Sequence, residues 1–185
     1  KTRRQVYTIR QRALSRPLKM LIVADPRGDL PNAGAEGRRI RERLDQNPSF
    51  ISANQRTGNI TPAFVMEKIR NYDLVHYAGH ADYDTADPSN SGWILDGGKF
   101  TSADIIKLIG GRPMPALVFC NACQSGQTQE WRLGTGYNQK IFGLANAFLL
   151  AGVQHYLGTF WEILDEPGAD DKPHGRHARD FQVLR

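Results

Sequence analysis

The sequence predicts an α/β protein whose mostly parallel central sheet is covered by helices on both faces. Two observations lead to this prediction. Short apolar segments of strand length alternate with segments of helical spacing along most of the chain. Most successive strands are therefore joined through a helix, as parallel strands require. With 185 residues, the chain is long enough for one domain with a substantial core.

The first strand and the first helix follow from the distribution of apolar residues and prolines. Leu18–Asp25 is a short apolar segment that stops at Pro26, as expected for a buried parallel strand. Helical spacing predicts a helix from about Ala35 to Gln46, and this helix stops before Pro48. A weaker strand is predicted near residues 49–52.

A second helix is predicted within Thr61–Asn71. Thr61 is a suitable N-cap because its hydroxyl oxygen can accept a backbone N–H, and Pro62 fits the first helical position. The side chains expected to face inward are Phe64, Val65 and Ile69.

The rest of the chain continues the alternation. Asp73–His80 is predicted to be a strand. Residues 91–105 are predicted to form a hairpin that turns at Asp96–Gly98, and Thr101 or Ser102 then caps a helix. The remaining predicted elements are a strand over Met114–Cys123, a helix over Ile141–Gly152 and a strand over Val153–Trp161.

Two polar segments fall at the carboxyl ends of predicted strands. Gly79–Asp82 follows one strand, and Asn121–Gly126 follows another. Ligands of open α/β sheets bind beyond the carboxyl ends of the strands. We therefore expect the chemistry of this protein to lie at that edge of the sheet.

The net charge of +5 is unevenly distributed. Residues 1–19 contain seven basic and no acidic residues, so the remainder carries about −2 (+5 less 7). Such an arm can meet nucleic acid or an acidic partner, but its one aromatic residue, Tyr7, forms no interleaved pattern, which favours a solvated linker. No apolar segment approaches the roughly 20 residues that span a bilayer.

Cys120 and Cys123 lie three residues apart and allow three interpretations. A redox pair needs adjacent sulfurs, but three residues of strand span roughly 10 Å, beyond the ~7 Å Cα limit of a disulfide. A zinc site could add His76 and His80, but these would lie about 13 Å apart on a strand, whereas zinc–ligand bonds are about 2 Å.

The third interpretation treats the two cysteines separately. Cys120 lies within the apolar strand and is a small buried residue. Cys123 lies where the strand ends, against a turn whose N–H groups can stabilise an anion. If His80 lies on the neighbouring strand, its imidazole can accept the thiol proton and the pair can attack an acyl carbon.

Four segments carry a resemblance to a known family: DLVHYAGHADYD, SGWILDGGKFTSADI, PALVFCNACQSG and GLANAFLLAGVQHYLGTFW. They resemble the CHAT domain, a caspase-like branch of the clan of cysteine peptidases that includes caspases, metacaspases, legumain and separase. The resemblance covers roughly Leu18 to Asp165. It implies a caspase-like three-layer α/β/α sandwich with a mostly parallel central sheet.

The resemblance also implies the catalytic residues. The family's catalytic histidine is the second in H-x-A-G-H, which is His80, and its nucleophile is the cysteine in A-C-x-S-G, which is Cys123. His76 then belongs to the core or supports the site. The oxyanion hole would consist of the backbone N–H of Cys123 and that of Gly79 or Ala81.

The substrate pocket is less closely defined by the resemblance. The S1 pocket of this clan lies near the end of the first strand, around the histidine and beside the nucleophile, which makes Asp25, Asp82 and Gln124 its candidate residues. The two aspartates would suit a basic P1 residue. Alternatively, both are solvated turn residues, since aspartate is favoured in turns.

The resemblance thus implies a cysteine endopeptidase that cleaves a protein substrate without a metal or other cofactor. Family members are commonly fused to TPR or other helical repeats, and some are defence effectors, including CRISPR-associated proteases. We therefore expect a regulated prokaryotic protease whose partners include a TPR-like region of the same protein, with an RNA-guided effector complex as a candidate. The alternative is a catalytically silent CHAT-like scaffold that acts by binding.

The organisation expected from these observations is simple. Residues 1–17 form a basic arm or linker, and residues 18–185 form the peptidase core. The chain does not begin with Met, so it is expected to be a fragment of a larger protein. Two cysteines provide no disulfide framework, which is typical of a reducing cytoplasm, and no membrane association is expected.

Overall fold

A six-stranded sheet forms the centre of the fold. The computed structural model describes residues 11–84, 86–122, 143–159 and 181–184. The strands are β1 (Leu18–Ala24), β2 (Ile51–Arg56), β3 (Leu74–Ala78), β4 (Ala81–Asp82), β5 (Gly92–Leu95), β6 (Gly98–Thr101), β7 (Leu117–Asn121), β8 (His155–Thr159) and β9 (Phe181–Leu184). The helices are α1 (Pro31–Leu44), α2 (Pro62–Lys68), α3 (Ser102–Ile106) and α4 (Leu144–Ala151). Within the described ranges, no helix has the length and apolar character needed to cross a membrane.

The strand order of the central sheet is β2-β1-β3-β7-β8-β9. The first five strands run parallel to one another, and only β9 is antiparallel, against β8. The predicted mostly parallel sheet is therefore confirmed. A second sheet of β4, β5 and β6 is antiparallel and contains the predicted hairpin. In the central sheet β3 lies between β1 and β7, so the ends of these three strands are neighbours.

Helices pack on both faces of the central sheet. Alternate residues of β1 point to opposite faces, because side chains alternate along a strand. Leu21 and Val23 join a large core with residues of α2, α3, α4 and the β5–β6 hairpin, whereas Ile22 and Ala24 pack beneath α1. The predicted three-layer α/β/α arrangement is therefore confirmed.

Helix α1 begins earlier than the sequence indicates. It starts at Pro31 rather than near Ala35, and it buries two glycines, Gly34 and Gly37. A Cβ atom on Gly37 would lie 2.4 Å from the Cβ of Ala24 on β1. Gly37 therefore lets α1 approach the sheet closely, and this contact compensates for its poor helix propensity. Gly34 lies in the first turn, where its poor helix propensity explains why the sequence pattern places the start of the helix too late.

The predicted helix caps are confirmed. The Thr61 hydroxyl oxygen accepts the backbone N–H of Phe64 at 3.2 Å, and Pro62 occupies the first position of α2. Thr101 and Asp104 form a reciprocal capping box at the start of α3. Both helices are short, so these caps satisfy a large share of their backbone N–H groups.

The residues before β1 include one basic side chain that is held against the core. Arg12 forms an ion pair with Asp73 at 3.0 Å, and its side chain is only 16% exposed. Its guanidinium also donates to the backbone carbonyls of Arg70, Pro113 and Met114. Arg12 therefore ties the entry of β3 to the entry of β7. Residues 1–10 lie outside the described residues, so the predicted boundary between arm and core stays a prediction.

Replacing Arg12 by methionine is expected to lower the free energy of unfolding by about 2 kcal/mol, because Asp73 loses its cation while it remains largely buried. Urea denaturation measures this change. The control is Arg41→Met, which removes an exposed ion pair with Asp45 at 2.8 Å and should cost less than about 0.5 kcal/mol. If the two variants lowered the free energy of unfolding equally, the buried ion pair of Arg12 would contribute no more to stability than the exposed pair of Arg41.

Candidate active site

The carboxyl ends of β1, β3 and β7 meet at one edge of the central sheet. Ala78, the last residue of β3, is in register with Asn121, the last residue of β7. His80 and Cys123 each follow these residues by two positions. Adjacent strands lie about 4.8 Å apart. The prediction that His80 follows a strand next to the one that leads to Cys123 is therefore confirmed.

The His80 imidazole lies beside a carboxylate from the loop after β1. Its Nε2 atom is 3.4 Å from Oδ1 of Asp29, and the two side chains are 38% and 39% exposed. The other Asp29 oxygen, Oδ2, lies 3.3 Å from Nε of Arg27. Asp29 therefore links a cation of the β1 loop to the imidazole at the end of β3.

The backbone before His80 passes close to two neighbours. A Cβ atom on Gly79 would lie 2.7 Å from the Tyr77 hydroxyl oxygen and 2.9 Å from Cδ of Pro26. Only glycine fits in this space without displacing Tyr77 or Pro26. The glycine of the sequence HYAGH is therefore explained by packing at the end of β3.

The large core supports this edge from one face of the sheet. Tyr77 is fully buried, and its ring stacks on that of Trp93 with a centroid distance of 4.2 Å. The Nε1–H of Trp93 donates to Sγ of Cys120 at 3.1 Å. Cys120 is also fully buried, which confirms its prediction as a core residue.

A buried polar cluster supports the same edge from the other face. Glu36 of α1 contacts Nε2 of His76 through Oε1 at 3.0 Å and accepts the side-chain N–H of Asn121 through Oε2 at 2.6 Å. His76 is 4% exposed and stacks on Phe119. His76 thus belongs to the interior, as predicted, and Glu36 bridges β3, which precedes His80, to β7, which precedes Cys123.

The two aspartates predicted for the S1 pocket have contacts with other parts of the chain. Asp25 is only 6% exposed, and its carboxylate accepts the N–H of Leu30 at 2.9 Å just before α1. It is therefore not a solvated turn residue. Asp82 is 45% exposed in its side chain and forms an ion pair with Lys99 at 2.6 Å.

The remaining predicted site residues are Cys123 and Gln124, and both lie outside the described residues. Gly79 and Ala81, the candidate oxyanion donors, flank His80 at the described edge. Within the described ranges, no group of three or more His, Cys, Asp or Glu side chains is placed to hold a metal ion.

Sequence reasoning missed two acidic residues of this region, Asp29 and Glu36. Asp29 lies four residues after Asp25 in a loop that also contains Arg27 and Gly28, where a charged residue is unremarkable. Glu36 lies among the arginines of α1 and looks like a surface residue. Its position between Gly34 and Gly37 was the one local signal of close packing.

The sequence matches the CHAT domain family over residues 2–170. No curated protein matches it at a significant level. Solved structures of cysteine proteinases and of a separase are among those that resemble its fold. The Saccharomyces cerevisiae separase in its complex with securin has 17% identity and a TM-score of 0.51, with 80% of this chain and 8% of that chain covered.

The Arg-specific cysteine proteinase gingipain R has 16% identity, a TM-score of 0.52, and coverage of 78% of this chain and 32% of that chain. The complex of the pro- and mature domains of Porphyromonas gingivalis RgpB gives 17% identity and a TM-score of 0.50, covering 80% and 33%. The present chain thus spans a third or less of these structures. The chain belongs to the CHAT domain family, and its fold is that of the caspase-like cysteine peptidases.

Proposed function

We propose that this CHAT domain is a cysteine endopeptidase in which Cys123 is the nucleophile and His80 the general base. One observation carries the proposal: Ala78 and Asn121 are in register at the ends of adjacent strands, and the two residues follow at equal distances along the chain. A cysteine thiol and a histidine imidazole have the complementary chemistry of acyl transfer.

The proposed reaction has two halves. His80 accepts the thiol proton, and the Cys123 sulfur forms a bond to the peptide carbonyl carbon. The C–N bond then breaks, and the imidazolium returns its proton to the leaving amine. In the second half, His80 takes a proton from water, whose oxygen forms a bond to the thioester carbon. The C–S bond then breaks, the imidazolium returns its proton to the Cys123 sulfur, and the product leaves as a carboxylic acid that ionises in water.

The contact between His80 and Asp29 supports a particular tautomer. Nε2 faces the Asp29 carboxylate, so a proton on Nε2 is the arrangement that this carboxylate stabilises. Nδ1 is then the nitrogen that accepts the thiol proton. The N–H groups proposed for the oxyanion hole are those of Cys123 and of Gly79 or Ala81.

The substrate is proposed to be a protein, cut after a residue that the S1 pocket selects. Asp25, Asp82 and Gln124 remain candidates for that pocket. Gingipain R is described as Arg-specific, so substrates with arginine at P1 are the first to test. In the proposed pocket, the Asp25 carboxylate would contact the substrate while it also accepts the N–H of Leu30. The Asp82 carboxylate would do so while it is also paired with Lys99.

The setting is proposed from the family resemblance. Members of the family are commonly fused to helical repeats, and some are defence effectors. The proposed protein is therefore a regulated prokaryotic protease of the cytoplasm that is controlled by a TPR-like region, with an RNA-guided complex as a candidate partner. The solved separase structure is a complex with securin, which is consistent with control through bound protein. The competing role is a catalytically silent scaffold.

The test is cleavage of fluorescein-labelled casein and of peptide amides with each amino acid at P1, together with labelling by iodoacetamide. Mass spectrometry after partial labelling should find Cys123 modified well before Cys120, since a thiolate reacts much faster than a buried thiol. Cleavage abolished by this labelling supports the peptidase. Equal, slow labelling of both cysteines without cleavage would support the scaffold.

Changing Asp29 to asparagine is expected to lower kcat/KM on the preferred peptide by about threefold, because an exposed ion pair contributes at most about 1 kcal/mol. Steady-state kinetics measure the effect. Asp45→Asn, which removes a comparably exposed carboxylate paired with Arg41, is the control and should leave kcat/KM unchanged. A neutral Asp29→Asn variant would mean that Asp29 does not orient His80.

A further inference from the structure

The carbonyl group of His80 is held by two hydrogen bonds from the interior of the protein. The Tyr77 hydroxyl donates to it at 2.6 Å. The backbone N–H of Ile94, on the adjacent β5, donates to it at 2.9 Å. The carbonyl oxygen of Ile94 lies farther from the hydroxyl, at 3.2 Å. With a single proton to donate, the hydroxyl bonds mainly to His80.

Tyr77 itself has little freedom to move. It is fully buried in β3, and its ring lies parallel to the Trp93 indole within 1°. The Trp93 N–H is bonded to Cys120. Burial raises the pKa of the Tyr77 hydroxyl well above its ordinary value, and the charges of Cys120 and Asp29 act in the same direction. The hydroxyl is therefore protonated and remains a donor at neutral pH.

A fixed carbonyl group also fixes the N–H of the next residue. The peptide bond between His80 and Ala81 is planar and trans, so its C=O and N–H point in opposite directions. The carbonyl points into the core, toward Tyr77 and Ile94. The N–H of Ala81 must then point away from Tyr77 and from β5.

The strand pairing agrees with this orientation. Ala81 is opposite Trp93 in the antiparallel pair of β4 and β5. The next pair along the ladder is His80 and Ile94, which is joined by the bond from the Ile94 N–H to the His80 carbonyl. Hydrogen-bonded and non-hydrogen-bonded pairs alternate in an antiparallel ladder, so Ala81 and Trp93 form a non-hydrogen-bonded pair. Its pairing with β5 thus does not occupy the Ala81 N–H.

We propose that the Tyr77 hydroxyl is a positioning residue for the His80–Ala81 peptide, which it holds so that the Ala81 N–H faces the oxygen of the substrate carbonyl. This inference rests on the proposed peptidase function and selects Ala81 over Gly79 as the second oxyanion donor. Tyr77 touches neither substrate nor nucleophile in this scheme; it acts through the peptide plane.

The experiment is the Tyr77→Phe substitution in the full chain. Its activity is assayed with the peptide amide whose P1 residue gives the highest kcat/KM in the wild-type chain. The variant keeps the ring and its stacking on Trp93, and it removes only the hydroxyl. Loss of an oxyanion donor typically costs about 10²–10³ in rate, and a donor that is misaligned but still present should cost about tenfold in kcat. KM should stay within about twofold, because the donor acts mainly in the transition state.

Two further measurements separate this role from a purely structural one. Inhibition by a peptide aldehyde, whose hemithioacetal oxygen uses the same donor, should weaken by the same factor as kcat. Alkylation of Cys123 by iodoacetamide forms no such oxygen, so its rate should not change. If alkylation slows in step with kcat, Tyr77 positions the imidazole instead, and the proposal is wrong. Unchanged kcat would also overturn it.

The control is Tyr156→Phe, which alters another fully buried tyrosine of the same core. It should reproduce any general loss of stability without the change in kcat. If the wild-type chain cleaves nothing and Cys123 is unreactive, the proposed function fails. Amide hydrogen exchange then tests the positioning separately: Tyr77→Phe should speed exchange at Ile94 several-fold relative to Tyr156→Phe, and equal exchange would refute the role of Tyr77.

Discussion

Replacing Cys123 by alanine is expected to lower kcat for peptide hydrolysis by about 10³-fold or more, to the level of the background reaction. The reason is that the acyl-enzyme pathway needs a sulfur nucleophile and no neighbouring group replaces it in the proposed mechanism. Release of a fluorescent amine from the preferred peptide, followed over hours at high enzyme concentration, measures the loss.

The matched control for this variant is Cys120→Ala, three residues earlier on the same segment. Cys120 is fully buried and receives the Trp93 N–H, so its loss should cost about 1 kcal/mol of stability. It should leave kcat close to that of the wild-type chain at temperatures where both are folded. Full activity of Cys123→Ala would show that Cys123 is not the nucleophile and would end the proposed mechanism, without affecting the fold.

Replacing His80 by alanine is expected to lower kcat by about 10²–10⁴-fold, the usual contribution of a general base. Alkylation of Cys123 at pH 7 should slow as well, because the imidazole no longer assists formation of the thiolate. The two readouts belong together: a fall in kcat with unchanged alkylation would place His80 in substrate binding rather than in proton transfer.

His76→Gln is the control for His80. His76 lies four residues earlier, within β3, but its ring is buried against Phe119 and contacts Glu36. A glutamine amide can still donate to the Glu36 carboxylate, so this variant should lose stability rather than catalytic rate. If His76→Gln abolished hydrolysis and His80→Ala did not, the assignment of the base would be reversed.

Much of the fold could be predicted from local patterns. The caps at Thr61 and Thr101 and the hairpin turn depend on residues within a few positions of one another. The turn was predicted at Asp96–Gly98, and the structure limits it to Asp96 and Gly97 because Gly98 begins β6. Each such element carries its own signal of spacing, capping or turn residues, so the structure reproduces it. The exceptions were the start of α1, where Gly34 is a poor helix former, and three strands. Strand β2 covers Ile51–Arg56 rather than residues 49–52, and β4 and β9 were not predicted.

Part of the candidate site could also be predicted. His80 and Cys123 were identified from their places after apolar strands and from the family resemblance, and the fold brings the two strand ends together. The structure adds the contact of His80 with Asp29 and the bond from Tyr77 to the His80 carbonyl. The first contact joins two loops that are distant in sequence. The second joins residues only three positions apart, but it depends on the path of the backbone after β3 and on the packing of Tyr77 against Trp93, which the sequence pattern does not reveal.

By itself, the sequence determined the class of the fold, the alternation of strands and helices, the family, and the strand ends where the chemistry is expected. The tertiary structure alone decided which side chains meet there. Glu36 and Asn121 are 85 residues apart in sequence and Arg12 and Met114 are 102 apart. Such contacts depend on the order of strands in the sheet, since that order brings distant segments together. The spacing of residues along the chain determines the helices and strands, whereas the order of the strands in the sheet determines which side chains lie next to His80.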